Sequence, residues 1–287
     1  MRAVFKKEIR TYFTTLSGYV FLGFFVLINA YFFSSVNVSG GSPDYSGTLI
    51  STFAMFLILI PVLTMRLFAE EVRQKTDQLL YTSPISIWKI VFGKFLAAAS
   101  IFLSGTVIIA LFPLIISYYG EVNFIQTFGC FLGYFLLGAS LISAGLFISV
   151  LTDNQINAAV GTFAMVFFIL MMNSIIMSMP TDTLSSAVFT VLIILLIAFI
   201  LYNGTKNIIV SSVFSVVCAA LVIVLYLYND LIFDGLIVRV LNWFSVLNHF
   251  ESFYMGVFKL SDVVYYISFI YVFLYMTINT IEKRRWR

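Results

Sequence analysis

The sequence predicts an all-α, polytopic membrane protein with about eight transmembrane helices. Of its 287 residues, 61% are hydrophobic and 10% are charged, whereas soluble domains carry about 25% charged residues. The charged residues separate eight uncharged runs of 19 or more residues, and about 20 apolar residues cross a bilayer as a helix. These runs are apolar throughout, unlike the alternating strands of a membrane β-barrel. The uncharged runs are 11–43, 45–65, 95–120, 122–152, 154–181, 183–205, 207–229 and 263–281.

The N-terminal residues MRAVFKKEIR precede a long uncharged run that includes YVFLGFFVLINAYFF. A cleavable signal has a shorter apolar region and a small-residue cleavage site, so we interpret this run as an uncleaved first span. Residues 1–15 are predicted to form an interfacial amphipathic helix, and a solvated basic lead-in is the alternative. The apolar face of that helix holds Val4, Phe5, Ile9, Tyr12 and Phe13, opposite Arg2, Lys6 and Arg10.

The distribution of basic residues predicts the orientation through the positive-inside rule. If the N-terminus is cytoplasmic and the spans alternate, the cytoplasmic segments contain 14 of the 16 lysines and arginines, and only Arg239 and Lys259 lie outside. Both termini are therefore expected in the cytoplasm. The net charge of +3 reflects this bias and does not indicate binding to nucleic acid. The predicted cytoplasmic segments are 1–15, 66–94, 152–155, 203–207 and 282–287.

Two segments in the C-terminal third need separate interpretation. Residues 183–229 hold two uncharged runs around NGTKN and form either a full or a re-entrant hairpin, and Lys206 at the tip favours a full crossing. Residues 230–262 are too charged to span and too apolar for a free loop. We expect external amphipathic or re-entrant helices there. The aromatic residues suited to the headgroup level are Trp243, Phe244 and Tyr254.

The chemistry that the sequence lacks narrows the function. The uncharged runs offer no charged relay for an ion-coupled transporter, and no catalytic constellation for a membrane enzyme is present. His249 and Glu251 form a lone His-x-Glu pair, which we interpret as a structural hydrogen-bonding site rather than a metal or catalytic site. Gly93-Lys94 lacks the remainder of the phosphate-binding G-x-x-x-x-G-K-[ST] loop. We therefore expect no catalytic residue, cofactor or metal in this chain, and an energy source on another polypeptide.

The exception is the charged segment, defined here as residues 66–94, which holds eight of the 29 charged residues. Pro84 disfavours a helical Ser83 and predicts a new helix that begins at Pro84 with Ser83 as its cap. Such a helix can receive a push from a soluble partner, and it also fits a helix that only lies on the membrane. Its predicted apolar face is Ile85, Trp88, Val91 and Phe92, widened by Ile87, with Lys89 and Lys94 in water.

The sequence EEVRQKTDQLLYTSPISIWKIVFGK resembles the signature of ABC-2-type permeases, the membrane subunits of type V ABC exporters. Lys75 stands where the family commonly has glycine. The stretches SVLTDNQINAAV (149–160) and VLNWFSVLNHFESFYMGVFKLSDVVYY (240–266) are similar to the gliding-motility branch, so the resemblance covers nearly the whole chain. The family core has six spans, and 183–229 resembles an inserted hairpin. The matching signature residues are Glu70, Glu71, Arg73, Thr76, Leu79, Leu80, Pro84, Trp88, Gly93 and Lys94.

The resemblance implies a single permease domain over residues 1–287, in the plasma (inner) membrane of a prokaryote. Two copies of an ATP-binding subunit would carry ATP and Mg, and a second copy of this chain or a related permease would complete the complex. Residues 69–94 would form the cytoplasmic coupling region, with Trp88 buried in the partner and Glu71 paired with Arg73, Lys75 or the partner. The coupling residues it implies are Glu70, Glu71, Arg73, Thr76, Pro84, Ile85, Trp88, Gly93 and Lys94.

In this family the second and fifth spans border the transport path, whose aliphatic and aromatic walls suit an amphiphilic or lipid-like cargo. Polar side chains there also fit interhelical hydrogen bonds. The expected function is therefore the permease subunit of an ATP-driven exporter. The alternatives are a membrane enzyme or polymerase acting on lipid-linked substrates and a non-transporting signalling scaffold. The candidate path residues are Ser51, Thr52, Thr64, Asn157, Thr162, Asn173 and Ser174.

Overall fold

A computed structural model describes residues 1–76, 85–228 and 230–285. Over these ranges the regular structure is helical, with no strand. Eight helical segments are long and apolar enough to cross a membrane, which confirms the predicted class of polytopic helical membrane protein. In chain order the eight spans are Leu16–Ser39, Ser46–Arg73, Ile87–Ile116, Phe124–Leu151, Gln155–Met177, Thr183–Asn203, Ile208–Tyr228 and Leu260–Arg285.

The N-terminal helix precedes the first span and ends where Thr15 becomes extended, at φ −101° and ψ 156°. The first span ends in a π-helix over Phe33–Ser39, and 3-10 helices occupy Phe53–Met55 and Asp230–Phe233. The α-helices are Arg2–Thr14, Leu16–Phe32, Ser46–Ser51, Phe56–Thr64, Ala69–Arg73, Ile87–Ile109, Phe112–Ile116, Phe124–Leu151, Gln155–Met177, Thr183–Thr205, Ile208–Tyr228, Leu236–Phe244, Asn248–Tyr254 and Leu260–Arg285.

The chain forms two compact units, residues 1–170 with 249–287 and residues 171–248. In the first unit the fourth span is the most buried, at 72% of its apolar window, and it packs against the second, third and eighth spans. Four fully buried rings, one from each of the first four spans, form its aromatic centre. The centroid of the Phe102 ring lies 5.6, 5.8 and 5.9 Å from those of Phe25, Phe56 and Tyr134. A side chain on Gly138 would collide with Phe102, so glycine permits this contact.

The second span is not one continuous helix. Pro61 lies inside the helix Phe56–Thr64 and has no N–H to donate. The helix then gives way to a turn over Met65–Phe68, and a short helix resumes at Ala69. This turn lies where the apolar part of the span meets the charged segment.

In the second unit, the sixth and seventh spans pack against each other as a hairpin. The two helices, Thr183–Thr205 and Ile208–Tyr228, have 23 and 21 residues, so each is long enough for the full crossing that Lys206 favoured. Lys206 ends the first of them in a left-handed conformation, with φ of 51°. The Ser211 hydroxyl donates to the Ala198 carbonyl at 2.6 Å, which joins the two helices.

Residues 230–262 contain short helices rather than a free loop. The helix Leu236–Phe244 follows the 3-10 turn, and Asn248–Tyr254 follows in turn. Trp243 and Phe244 are 66% and 58% exposed. Exposed aromatic residues on a short helix suit an interfacial position, and the interfacial placement of this segment stays a prediction.

Candidate functional site

The described part of the charged segment consists of the short helix Ala69–Arg73 and the start of the third span. The predicted helix start at Pro84 and its cap Ser83 lie outside the described residues. The helix that follows begins at Ile87, after an extended Ser86, and continues without a break to Ile109. The helix predicted after Pro84 is therefore not separate from the third span, because its backbone hydrogen bonding continues into that span.

The short helix Ala69–Arg73 ends in a left-handed turn. The N–H of Thr76 donates to the Glu71 carbonyl at 3.0 Å, and the N–H of Lys75 donates to the Val72 carbonyl at 3.0 Å, which is the Schellman pattern. Lys75 has φ of 56°, a conformation that crowds a Cβ and favours glycine. The departure from the family pattern at Lys75 thus falls at a residue whose backbone conformation favours glycine.

Lys94 is the centre of a buried charge cluster. Helical spacing placed it in water, but its side chain is 1% exposed, so that prediction is wrong. Its Nζ lies 3.0 Å from Glu8 Oε1 and 3.0 Å from Glu71 Oε2, and it donates to the Leu67 carbonyl at 2.6 Å. The Nζ is also 4.9 Å from the centroid of the Phe68 ring. The ammonium group donates hydrogen bonds to Glu8 and to the Leu67 carbonyl, and its contact with Glu71 Oε2 is an ion pair.

Glu71 contacts different partners from those that the sequence suggested. It was expected to pair with Arg73, Lys75 or another subunit, but it binds Lys94 and accepts a 2.8 Å hydrogen bond from Lys7. Partial burial lowers the pKa of Lys7, but the hydrogen bond and the charge of Glu71 together raise it by more, so the net shift of the pKa is upward. The interacting charges balance, because Lys7 and Lys94 face Glu8 and Glu71.

The N-terminal helix covers Lys94. Its buried residues are Val4, Glu8 and Tyr12, four residues apart and therefore on one face. Gly93 leaves room for this approach, because a Cβ added there would lie 3.3 Å from the Val4 side chain. Of the predicted apolar face, Val4 and Tyr12 are buried, Phe5 and Ile9 are half-buried and Phe13 is exposed, whereas the basic residues of the opposite face are exposed. The interfacial position of this helix stays a prediction. Glu8 was missed, although its place midway between two apolar residues of the buried face is a signal in the sequence.

The region where the N-terminal helix meets the second and third spans around Lys94 is called the junction here. Further polar contacts link the second span to the N-terminal helix and to the start of the first span. Tyr12 is 2% exposed and donates to the Leu63 carbonyl at 2.6 Å. Burial raises the pKa of Tyr12, so its hydroxyl stays protonated as a donor. Arg66 lies 5.4 Å from the centroid of the Tyr12 ring and donates to Thr15 Oγ1 at 3.1 Å and to the Ser17 hydroxyl.

Ser149, near the end of the fourth span, holds the turn that precedes the short helix Ala69–Arg73. Its Oγ accepts hydrogen bonds from the N–H groups of Phe68 and Ala69, at 3.1 and 3.2 Å. It also donates to the Met65 carbonyl at 3.3 Å. These N–H groups lie at the start of the short helix, where no carbonyl of the same helix can accept them. The fourth span therefore fixes the charged segment from the opposite side.

The start of the third span has an exposed face that differs from the predicted one. Trp88 is 43% exposed and stacks on Phe92, with ring centroids 5.4 Å apart. Val91 and Ile87 are instead buried against the protein, because the N-terminal helix occupies that side. Of the other predicted coupling residues, Glu70 is half-buried and lies 3.6 Å from Arg66. Ile85 is part-buried, and Arg73 and Thr76 are exposed. Pro84 lies outside the described residues.

The candidate path residues of the second span bond mainly within that span. The hydroxyls of Ser51, Thr52 and Thr64 donate to carbonyls three or four residues earlier, at 2.9, 2.7 and 2.9 Å. Thr52 also lies 3.2 Å from the Tyr134 hydroxyl of the fourth span. Most of these hydrogen bonds are thus local rather than interhelical.

The candidates of the fifth span have different surroundings. Thr162 lies with Thr64 of the second span against Gly145 of the fourth, where no side chain would fit. Asn173 accepts a 2.8 Å hydrogen bond from Ser245. Asn157 and Ser174 are exposed. Thr64 and Thr162 are therefore two candidate residues that the fold brings together.

His249 belongs to a second polar cluster. Its Nδ1 lies 2.8 Å from Asp262 Oδ1, and its ring stacks on Tyr265 with centroids 3.8 Å apart. Ser252 donates to the other oxygen of Asp262, so the carboxylate lies between the serine and the imidazole. Glu251 is exposed. Among the described residues, no group of three or more His, Cys, Asp or Glu side chains is placed to hold a metal ion.

No protein-family model matches this chain, and no curated protein matches it.

Proposed function

We propose that this chain is the membrane-spanning permease subunit of an ATP-driven ABC exporter, and that residues 69–94 form its coupling region. The signature of ABC-2-type permeases in the charged segment supports this proposal. Its departure at Lys75 falls where the backbone favours glycine. Ser149, the first residue of the similar stretch 149–160, bonds to Phe68 and Ala69, which directly precede the signature that begins at Glu70.

The observation that carries the proposal is the anchoring of the charged segment. Trp88 and Arg73 are exposed, while Lys94 and Glu71 fix the segment to the N-terminal helix and Ser149 fixes it to the fourth span. A surface that only lay on the membrane would not need these buried polar contacts. A rigidly held surface can pass a partner's movement to several spans at once.

In the proposed complex, two ATP-binding subunits carry ATP and Mg, and a second copy of this chain or a related permease completes the path. ATP binding closes those subunits and moves the two coupling regions, which reorients the path. Hydrolysis then resets it. The charged segment and both termini would face the cytoplasm of a prokaryotic cell, and the hairpin 183–229 would be an addition to the six-span core. An amphiphilic or lipid-like cargo suits the apolar walls.

The experiment that tests this proposal compares two exposed tryptophans. Trp88→Ala removes the proposed anchor, whereas Trp243→Ala is the matched control on the segment 230–262. Buried tryptophans at interfaces cost about 2 kcal/mol or more when truncated, which is more than tenfold in affinity. We expect Trp88→Ala to lower the retention of the proposed ATP-binding subunit during co-purification, and to lower hydrolysis in nanodiscs.

Trp243→Ala should match the wild type in both assays. Equal retention and equal hydrolysis in both variants and the wild type would contradict the placement of the coupling region. A transport assay on the assembled complex then separates an exporter from a signalling scaffold, because only an exporter moves cargo. The enzyme alternative gains no support from the second cluster, where the Ser252 hydroxyl bonds to Asp262 rather than to the imidazole.

A further inference from the structure

Lys94 lies where the N-terminal helix, the end of the second span and the start of the third span meet. Glu8 belongs to the N-terminal helix, Glu71 to the end of the second span, and Lys94 to the start of the third. The N-terminal helix is not continuous with the first span, because Thr15 is extended between them. The Lys94 ammonium binds both carboxylates, so it joins the three segments through side chains rather than through the backbone.

We infer that Lys94 is a positioning residue that passes movement of the coupling region to the N-terminal helix and so to the first span. This inference rests on the proposed function, since the ATP-binding subunit supplies the movement. When a partner shifts residues 69–94, Glu71 and Lys94 move with them. Glu8 follows because it is bound to Lys94, and Arg66, which donates to Thr15 and Ser17, guides the start of the first span.

Burial explains why Lys94 can do this and Lys7 cannot. Lys7 bonds to Glu71 at 2.8 Å, but its side chain is 57% exposed, and exposed ion pairs contribute little to stability. Lys94 is 1% exposed, and separating Glu8 from it would leave charges buried without their partner. Such a separation disfavours the undocked helix by about 100- to 4,000-fold. The N-terminal helix therefore stays bound to the third span while the coupling region moves.

The test needs a variant that folds without the charges. Lys94→Met alone leaves two buried carboxylates together, whereas the triple variant Glu8→Gln, Glu71→Gln and Lys94→Met leaves no buried charge. Replacing a whole buried ion pair is often neutral for stability, although breaking one is costly. Lys7→Gln is the matched control, because it removes the exposed cation of the same cluster.

Two measurements are made on each protein in nanodiscs. Spin labels at Lys6 and Lys89, both exposed, report the distance between the N-terminal helix and the third span, with and without the ATP-binding subunit and nucleotide. The second measurement is the stimulation of hydrolysis by the membrane subunit. Energetic coupling between sites is typically about 5- to 150-fold, so we expect the triple variant to lose about tenfold in stimulation while it still binds the partner.

In the wild type and in Lys7→Gln, the distribution of distances between the two labels should be narrow and unchanged by nucleotide. In the triple variant it should broaden, together with the loss of stimulation. The inference would be overturned if the triple variant kept either a narrow distribution of label distances or full stimulation of hydrolysis. The charges would then serve stability alone. A wild type that recruits no ATP-binding subunit would contradict the proposed function and this role together. The labels on the isolated protein would still show whether Glu8, Glu71 and Lys94 hold the N-terminal helix against the third span. Failure of the proposed function can therefore be told apart from failure of this inference.

Discussion

The junction around Lys94 and the hairpin of the sixth and seventh spans are stabilised in different ways. At the junction, ion pairs and hydrogen bonds link the N-terminal helix to the second and third spans, and Lys94 is 1% exposed. In the hairpin, both apolar windows are only 11% buried within the protein, and both spans are free of charge. The Ser211 hydroxyl is one polar link between its two helices.

The difference teaches how each region depends on its neighbours. A helix surrounded by lipid needs only apolar side chains and its own backbone hydrogen bonds. A buried lysine needs acceptors at particular positions on other segments, and the loss of one acceptor leaves a charge without compensation. We therefore expect sharp mutational sensitivity at the junction and tolerance in the hairpin.

The largest expected effect is that of Lys94→Met. The substitution leaves the carboxylates of Glu8 and Glu71 close together without their buried cation. Breaking a buried ion pair typically costs about 3–5 kcal/mol, and we expect a loss of that size in the free energy of unfolding, measured by SDS titration in mixed micelles. Lys89→Met, an exposed lysine on the same helix, is the control and should change little. Equal stability of the two variants would mean that the cluster contributes nothing.

Tyr12→Phe should have the next largest effect. It removes the 2.6 Å hydrogen bond to the Leu63 carbonyl and keeps the buried ring. A typical net hydrogen bond contributes about 1 kcal/mol, and a buried acceptor left unpaired costs more. The same titration should show a loss of about 1–2 kcal/mol, with Tyr19→Phe, which is 58% exposed, close to the wild type. A stable Tyr12→Phe would indicate that packing alone holds the N-terminal helix.

Lys75→Gly is expected to stabilise the protein. Lys75 has φ of 56°, and a left-handed conformation costs a residue with a Cβ about 1–2 kcal/mol. Glycine relieves this strain but loses more backbone entropy on folding, so the net gain should be about 0.5–1 kcal/mol. Gln74→Gly, at φ −82°, should destabilise instead. If both glycine variants lose stability, the short helix does not end in the described turn.

The smallest effect is expected in the hairpin. Ser211→Ala removes the hydrogen bond to the Ala198 carbonyl, and interhelical hydrogen bonds in membranes contribute about 0.6 kcal/mol on average. Ser212→Ala is the control, since that hydroxyl bonds within its own helix. A loss above about 2 kcal/mol for Ser211→Ala would show that the hairpin depends on specific polar contacts as the junction does.

Much of the fold could be predicted from composition and charge spacing. The eight uncharged runs predicted eight spans because a helix in lipid must be apolar along its whole length. The N-terminal helix, with Val4 and Tyr12 on one apolar face, was predicted from helical periodicity. The break in the second span was not predicted, since Pro61 is tolerated inside membrane helices when neighbouring groups satisfy the backbone.

The positions of the polar residues were harder to predict. Spacing placed Lys94 in water because its neighbours in sequence gave no sign that another helix covers it. Glu71 had near partners in Arg73 and Lys75, yet it binds Lys7 and Lys94. Periodicity describes one helix at a time, and these contacts join residues 64 and 23 positions apart. No single helical pattern contains that information.

The sequence by itself determined the class of this protein, its helical spans and the location of a charged segment between two of them. These properties follow from composition over 20 or so neighbouring residues, and the bilayer imposes them locally. Only the tertiary structure decided which faces of that segment are buried, and that Glu8, Glu71 and Ser149 are the residues that fix it. The reason is that a buried charge or N–H group must be satisfied by whichever segment packs against it, and packing brings together residues that the sequence keeps apart.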